Sequence, residues 1–175
     1  PGSAGLSGQN ISGIVARGNT IVVTSSANIG GVYRSTDGGA TFNAITSADF
    51  VPGNDFFDLV ADPTDGTGQR LYAASIGIGG SGGIYRSNDF GLTWTKITGP
   101  GVNATMDNLL VNSNAMEMTI HPTTGRLDVA VLVNAQPQGL FHTNTGTSAT
   151  PPWTQIHIPV LPQGAGVAIS NATNT

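Results

Sequence analysis

The chain contains no cysteine, which excludes a disulfide scaffold and thiolate chemistry. Charge is scarce as well. Only 9% of the 175 residues are charged, and the six Lys and Arg are scattered, so no basic patch exists to hold a phosphate backbone. Nucleic acid is therefore not an expected partner. No apolar run approaches the ~18–20 residues that cross a bilayer as a helix, so no transmembrane segment is predicted. No stretch carries a sustained 3.6-residue apolar period with helix caps. The sequence begins at Pro1, without a Met or a signal peptide, and the expectation is a mature or trimmed product. What the chain has in quantity is Gly, Ser, Thr and Asn between short β-branched runs. That mixture fits an extracellular or cell-surface β protein, with the periplasm as the alternative.

The strongest internal signal is a phrase that occurs twice. Gly31-Val32-Tyr33-Arg34-Ser35-Thr36-Asp37-Gly38-Gly39-Ala40-Thr41-Phe42 returns as Gly83-Ile84-Tyr85-Arg86-Ser87-Asn88-Asp89-Phe90-Gly91-Leu92-Thr93-Trp94, a period near 50 residues. Aligned on it, the chain divides into four-strand units bounded by Gly, Asn, Asp and Pro. The first unit is predicted at Ile11–Arg17, Thr20–Ser25, Gly31–Ser35 and Thr41–Thr46. The second is predicted at Phe56–Ala61, Arg70–Ser75, Gly83–Ser87 and Thr93–Thr98. The third has diverged: Met116–Ile120, Arg126–Asn134, Gly139–Thr143 and Trp153–Ile158, with Thr145 where Asp37 and Asp89 stood and a longer turn around it. The turns Asp62-Pro63-Thr64-Asp65-Gly66 and His121-Pro122-Thr123-Thr124-Gly125 echo one another and support this register. Gly164–Ser170 reads as the first strand of a fourth unit.

Four antiparallel strands in a unit of roughly 50 residues is the pattern of a β-propeller blade. One blade cannot bury both of its faces, so its neighbours must cover them. The predicted fold is all-β: a β-propeller segment of about three four-stranded antiparallel blades and the start of a fourth. Blade 1 spans about 11–46, blade 2 about 55–98 and blade 3 about 115–158, with the fourth beginning in 164–175. Propellers close with about four to eight blades. The expected partner is therefore the rest of the propeller, in a longer version of the same chain or in another chain. Alone, the segment is expected to be marginal and aggregation-prone.

The two phrases resemble the Asp-box, or bacterial neuraminidase repeat, whose pattern is Ser/Thr-x-Asp-x-Gly-x-Thr/Ser-Trp/Phe. Sialidases, xyloglucanase-type glycoside hydrolases, sortilin-type receptors and photosystem-assembly propellers carry it. The resemblance extends through the third, degenerate copy and implies a structural role for Ser35, Asp37, Gly39, Thr41 and Phe42, and for Ser87, Asp89, Gly91, Thr93 and Trp94. The physical reading agrees. An Asp at such a turn can accept several backbone N–H groups, the Gly supplies a positive φ, and the aromatic packs between blades. The family places this turn on the face opposite its active site.

Function is then expected on the other face, in the loops 25–30, 75–82 and 134–138 and the connections 47–55, 99–115 and 159–163. Acids there are few: Asp49, Asp55, Asp107 and, on a strand edge, Glu117. Glycoside hydrolysis needs two carboxylates about 5–10 Å apart, which makes Asp55 and Asp107 the weak catalytic candidates, with turn or cap roles as the simpler reading. Xyloglucanase-type enzymes carry a catalytic Asp just before a Gly-Gly-x-Tyr-Arg stretch, and this chain has Asn28 there. A sialidase needs three arginines round a carboxylate. Arg34 and Arg86 repeat between blades, and Arg17, Arg70 and Arg126 fall at turns on the wrong face. His121, His142 and His157 occupy different slots, so no metal site is expected. Asp62-Pro63-Thr64-Asp65-Gly66 is read as a turn rather than a Ca²⁺ loop. The Gly-rich run 75–82 precedes a strand and not a helix, so it is no phosphate loop. Phe56, Phe57 and Leu109–Val111 are read as core or blade-interface residues.

The reading is a non-catalytic structural or binding module, without cofactors, with carbohydrate or protein as the ligand class. The alternative is part of a glycoside hydrolase whose carboxylates lie partly outside these residues.

Overall fold

The computed structural model describes residues 4–26, 30–47, 54–76, 82–99, 106, 108–110, 113–133, 136–144, 148 and 151–156. The predicted fourth-unit strand Gly164–Ser170, together with Asn28, Asp49, Asp107, Thr145 and His157, lies outside these residues. The described chain folds into three four-stranded antiparallel sheets, each built from consecutive strands in meander order. Blade 1 contains β1 (Ile11–Arg17), β2 (Thr20–Ser25), β3 (Gly31–Ser35) and β4 (Asn43–Ile45). Blade 2 contains β5 (Asp55–Ala61), β6 (Leu71–Ile76), β7 (Gly83–Ser87) and β8 (Thr95–Lys96). Blade 3 contains β9 (Ala115–Ile120), β10 (Leu127–Val133), β11 (Gln136–Thr143) and β12 (Thr154–Ile156). This is the all-β propeller segment that the repeat implies.

The larger differences from the expected boundaries have local reasons. The fourth strands start later because Thr41 and Thr93 direct their N–H groups to the Asp37 and Asp89 carboxylates, not to a ladder. In blade 3 the loop expected over 134–138 is shorter, since β11 already begins at Gln136, which pairs with Val133. The connection expected to be loop over 99–115 contains a helical turn that includes Met106 and residues 108–110.

Cores lie between sheets, not within one. Side chains alternate across a strand, so each blade sends one set of residues to its predecessor and the other to its successor. Phe56, Leu59, Leu71, Ala73, Tyr85, Phe90 and Trp94 of blade 2 pack on Val22 and Val32 of blade 1. The opposite face of blade 2, through Tyr72, Ala74, Ile84 and Ile97, meets Met116, Met118, Val129, Val131, Phe141 and Trp153 of blade 3. Met106 and Leu110 of the helical turn join that second core. As the middle layer, β7 is buried at every position, whereas β10 alternates buried and half-buried. The N-terminal residues cover part of the far face of blade 1: Leu6 packs with Val23, Tyr33 and Phe42, and Phe42 N–H donates to the Ala4 carbonyl at 2.8 Å, while Ile14 of β1 stays exposed.

The two repeated hairpin turns are built alike, bond for bond. Ser35 Oγ donates to Asp37 Oδ1 at 2.7 Å and accepts Gly39 N–H at 2.9 Å. Asp37 then accepts Thr41 N–H at 3.0 Å and the Thr41 hydroxyl at 2.5 Å. In blade 2, Ser87, Asp89, Gly91 and Thr93 repeat all four contacts. Each turn needs two successive positive-φ residues. Blade 1 uses Gly38 and Gly39, while blade 2 uses Gly91 and Phe90, the one described non-glycine residue with positive φ, at 53°. Phe90 is buried in the blade 1–blade 2 core, so apolar burial of about 1.5–3 kcal/mol offsets the strain of about 1–3 kcal/mol.

These hydrogen bonds set the titration of the turns. The Thr41 hydroxyl and amide, with Ser35, hold the Asp37 carboxyl well below the ordinary range. Burial pushes Asp89 upward, but the donors Thr93, Ser87 and Leu92 outweigh it and the net shift is downward. Asp65, in the β5–β6 turn, is likewise raised by burial and more strongly lowered by donors from Thr67, Arg70 and Gln69, to about 2.

Two expectations follow. These carboxyls titrate lower in the folded than in the unfolded chain. The stability they contribute is present above the unfolded value near ~4 and is lost as pH falls through the folded values. Urea midpoints should be flat from about pH 8 to 5 and fall from about pH 4 to 2, with a shallower fall in Asp65→Asn and Asp89→Asn. Separately, a Cβ on Gly91 would lie 2.7 Å from a Val22 methyl, at φ +82°. Gly91→Ala should cost about 2–3 kcal/mol in denaturant melts, and adding Val22→Ala should recover part of it, which a double-mutant cycle measures.

Candidate functional site

The strand directions sort the loops onto two ends. The β5–β6 turn (62–70), the β7–β8 turn (88–94) and their counterparts share one end, and the Phe90 N–H joins the two in blade 2 by donating to the Gln69 carbonyl at 2.9 Å. The β2–β3, β6–β7 and β10–β11 connections lie at the other.

Side chains at the turn end are occupied in holding the scaffold. Asp62 accepts Thr64 N–H at 2.9 Å and pairs with Arg70 at 3.0 Å, with only 3% of the Asp62 side chain exposed. Asp65 accepts the amides of Thr67, Gln69 and Arg70. Arg126 pairs with Asp128 at 3.0 Å. Arg17 donates to the Thr67 carbonyl of the next blade. No three arginines converge on a carboxylate in these contacts.

The repeated arginines bind one blade to the next. Arg34 Nε donates to the Phe90 carbonyl at 3.0 Å, and Arg86 donates to the Ser148 carbonyl at 2.7 Å. Both acceptors lie in the β3–β4-type turn of the following blade. Burial pushes the Arg86 guanidinium down, and the same buried setting raises the Tyr72 hydroxyl to about 12. In blade 3 this slot holds His142, paired with Asp128 across β10–β11 as Arg86 is with Tyr72 across β6–β7.

At the opposite end, Asp55 opens β5 and its carboxyl is raised by burial. It stands beside blade 1: a Cβ on Gly30 would come within 2.8 Å of Asp55 Oδ1 and 2.4 Å of the Asn54 carbonyl. Gly30 is the residue that permits this approach. Glu117 lies elsewhere. It lines a hollow of about 300 Å³ on the far face of blade 3, with Asp128, Thr119, Ala130, Leu140 and Ile156. Asp55 and Glu117 are therefore on different interfaces, separated by the blade 2–blade 3 core. Among the described residues, no group of three or more His, Asp or Glu is placed to hold a metal ion. Phe56 and Leu110 are core residues, as expected, with Leu109 and Phe57 half-buried.

Two residues escaped the sequence reading. Asp58 follows a β-bulge and pairs with Ala74, and Glu117 pairs with Ala130, at the matching register of blade 3. Asp58 Oδ1 accepts Leu59 N–H at 2.8 Å, and Oδ2 accepts Met118 N–H in the next blade at 2.7 Å. Asp128 was the other omission. Aligning the first strands with one another, as the third strands were aligned, would have put Asp58 above Glu117.

No described helix is long and apolar enough to cross a membrane. No protein-family model matches the sequence, and no curated protein does. Solved structures do. An ancestral GH74 enzyme superposes at TM-score 0.59 and 19% identity, over 85% of this chain and 20% of its own. The GH74 enzyme of Niastella koreensis superposes at 0.54 and 23% identity, over 84% and 21%. A fainter likeness, at 0.46 and 13% identity over 86% and 40%, is to YCF48 bound to D1 peptide. The chain thus spans about a fifth of the length of the two GH74 structures, and what it shares with them is the β-propeller fold.

Proposed function

We propose that this chain is a non-catalytic structural or binding module within a secreted or cell-surface Asp-box β-propeller. Its repeated turns are Asp-boxes that close one end of each blade, and the loops at the other end present the contact surface, with carbohydrate or protein as the ligand class. The rest of the ring comes from a longer chain or from a partner.

The observation that carries the reading is how the carboxylates are used. Asp37, Asp89, Asp62 and Asp65 accept hydrogen bonds from their own turns. Asp58 is engaged by the next blade. Asp55 faces blade 1 while Glu117 lies on the face of blade 3 turned away from blade 2, so these two do not flank one bond. Glu117 and Asp128 share a hollow, but it lies on a sheet face whose equivalents in blades 1 and 2 are covered by the following blade. A wealth of Gly, Ser, Thr and Asn supports an extracellular setting.

The hydrolase reading makes a different demand, and one assay separates the two. Incubated with xyloglucan or with sialosides, the chain should release no reducing ends and no free sialic acid above buffer. Hydrolysis that disappears in Asp55→Asn, Asp107→Asn or Glu117→Gln would overturn the non-catalytic reading.

A further inference from the structure

Each interior interface of this protein joins its two blades by first-strand and third-strand polar contacts, those of the third strand at one repeated position. On the first strand, the Asp58 carboxylate of blade 2 accepts Met118 N–H of blade 3 at 2.7 Å; at the same register blade 1 carries Gly13, and its neighbour Ser12 donates from Oγ to the Phe56 carbonyl of blade 2 at 2.5 Å. On the third strand, Arg34 and Arg86 each donate to the next blade's turn. The far face of blade 3 presents groups in both slots. Glu117 stands at the register of Asp58, and His142 stands at that of Arg34 and Arg86. His142 Nδ1 is buried without a hydrogen-bond partner, and an orphaned polar atom of this kind marks a contact still to be made. Between the two slots lies the hollow lined by Ala130, Leu140 and Ile156, and Ile156 is 37% exposed.

We infer that this face is the docking surface for Gly164–Ser170 of the same chain, with the Glu117 carboxylate accepting the Val167 N–H as Asp58 accepts that of Met118. Three observations select this occupant. Residues 157–163 link it to Ile156, the end of the blade's outer strand. Extended, they reach about 23–25 Å, ample to cross four strands about 4.8 Å apart. The sequence also fits the slot. With Val167 aligned on Met118, Ile169 falls on Ile120, so apolar side chains recur on the alternate positions that face the preceding blade. Finally, the two described interfaces are both made this way, by the first strand of the following unit packing on the blade before it. The inference concerns assembly and goes beyond the proposed function, since its test reads neither ligand nor activity.

The lack of native cysteine makes a clean test possible. In the blade 1–blade 2 interface, a Cβ on Gly13 would come within 2.7 Å of the Leu59 Cβ, so these equivalent positions are neighbours. The full chain carrying Glu117→Cys and Val167→Cys should therefore form an intramolecular disulfide under mild oxidation, identified by non-reducing peptide mapping. The control pair Ile14→Cys with Val167→Cys, which places one thiol on the exposed far side of blade 1, should not. Cross-links found only between two copies, or forming equally in the control, would overturn the inference in favour of a second copy or of no fixed occupant. In the cysteine-free chain, amide exchange at Val167 should be about tenfold faster in Glu117→Ala than in wild type. Equal exchange would remove Glu117 from the contact.

Discussion

A four-stranded sheet has two faces, and a sheet that is apolar on both cannot bury either by itself. The architecture of this chain follows from that constraint. Blade 2 places Leu71, Ala73 and Tyr85 against blade 1 and Tyr72, Ala74 and Ile84 against blade 3. Stability therefore lives in the interfaces. The hairpin turns serve those interfaces, since Trp94 and Phe90 leave the turn of blade 2 to pack on blade 1, and Trp153 Nε1 donates to the Ile97 carbonyl of blade 2 at 3.1 Å. The N-terminal residues play the same part for blade 1, where Leu6 lies over Phe42 in place of a preceding blade.

Polar groups at these interfaces act as register marks more than as sources of energy. A hydrogen bond made in folding exchanges one partner for another and contributes about 0.5–1.5 kcal/mol net, while an unmade buried one costs more. The Asp58–Met118 and Arg34–Phe90 contacts penalise a blade that slides, because sliding leaves a carboxylate or a guanidinium without its partner. The same logic explains the turns. The Ser87 hydroxyl and the Asp89 carboxylate satisfy amides that the chain reversal would otherwise leave without acceptors. Such groups sit at recurring positions, are strongly hydrogen-bonded and include shifted carboxyls, so they share the surface signs of a catalytic site while serving the scaffold.

The sequence by itself determined the unit. The Ser-x-Asp-x-Gly-x-Thr phrase specifies a turn through local contacts, all within four residues of one another, and alternation of apolar residues specifies strands. Seven of the predicted strands start or end on residues that the structure confirms, including Ile11–Arg17, Thr20–Ser25 and Gly83–Ser87 at both ends. What only the tertiary structure decided was the direction each polar side chain takes. In the sequence Glu117 reads as a strand-edge acid and Asp58 carries no signal; the β5 bulge and the neighbouring blade give the two a common register. Phe90 gave no sign in the sequence of its positive φ, because the interface that buries it comes from residues far along the chain. Local sequence encodes contacts over a few residues. Which carboxylate meets which blade depends on sheets stacked across about 50 residues of chain, and that geometry exists only once the blades are packed.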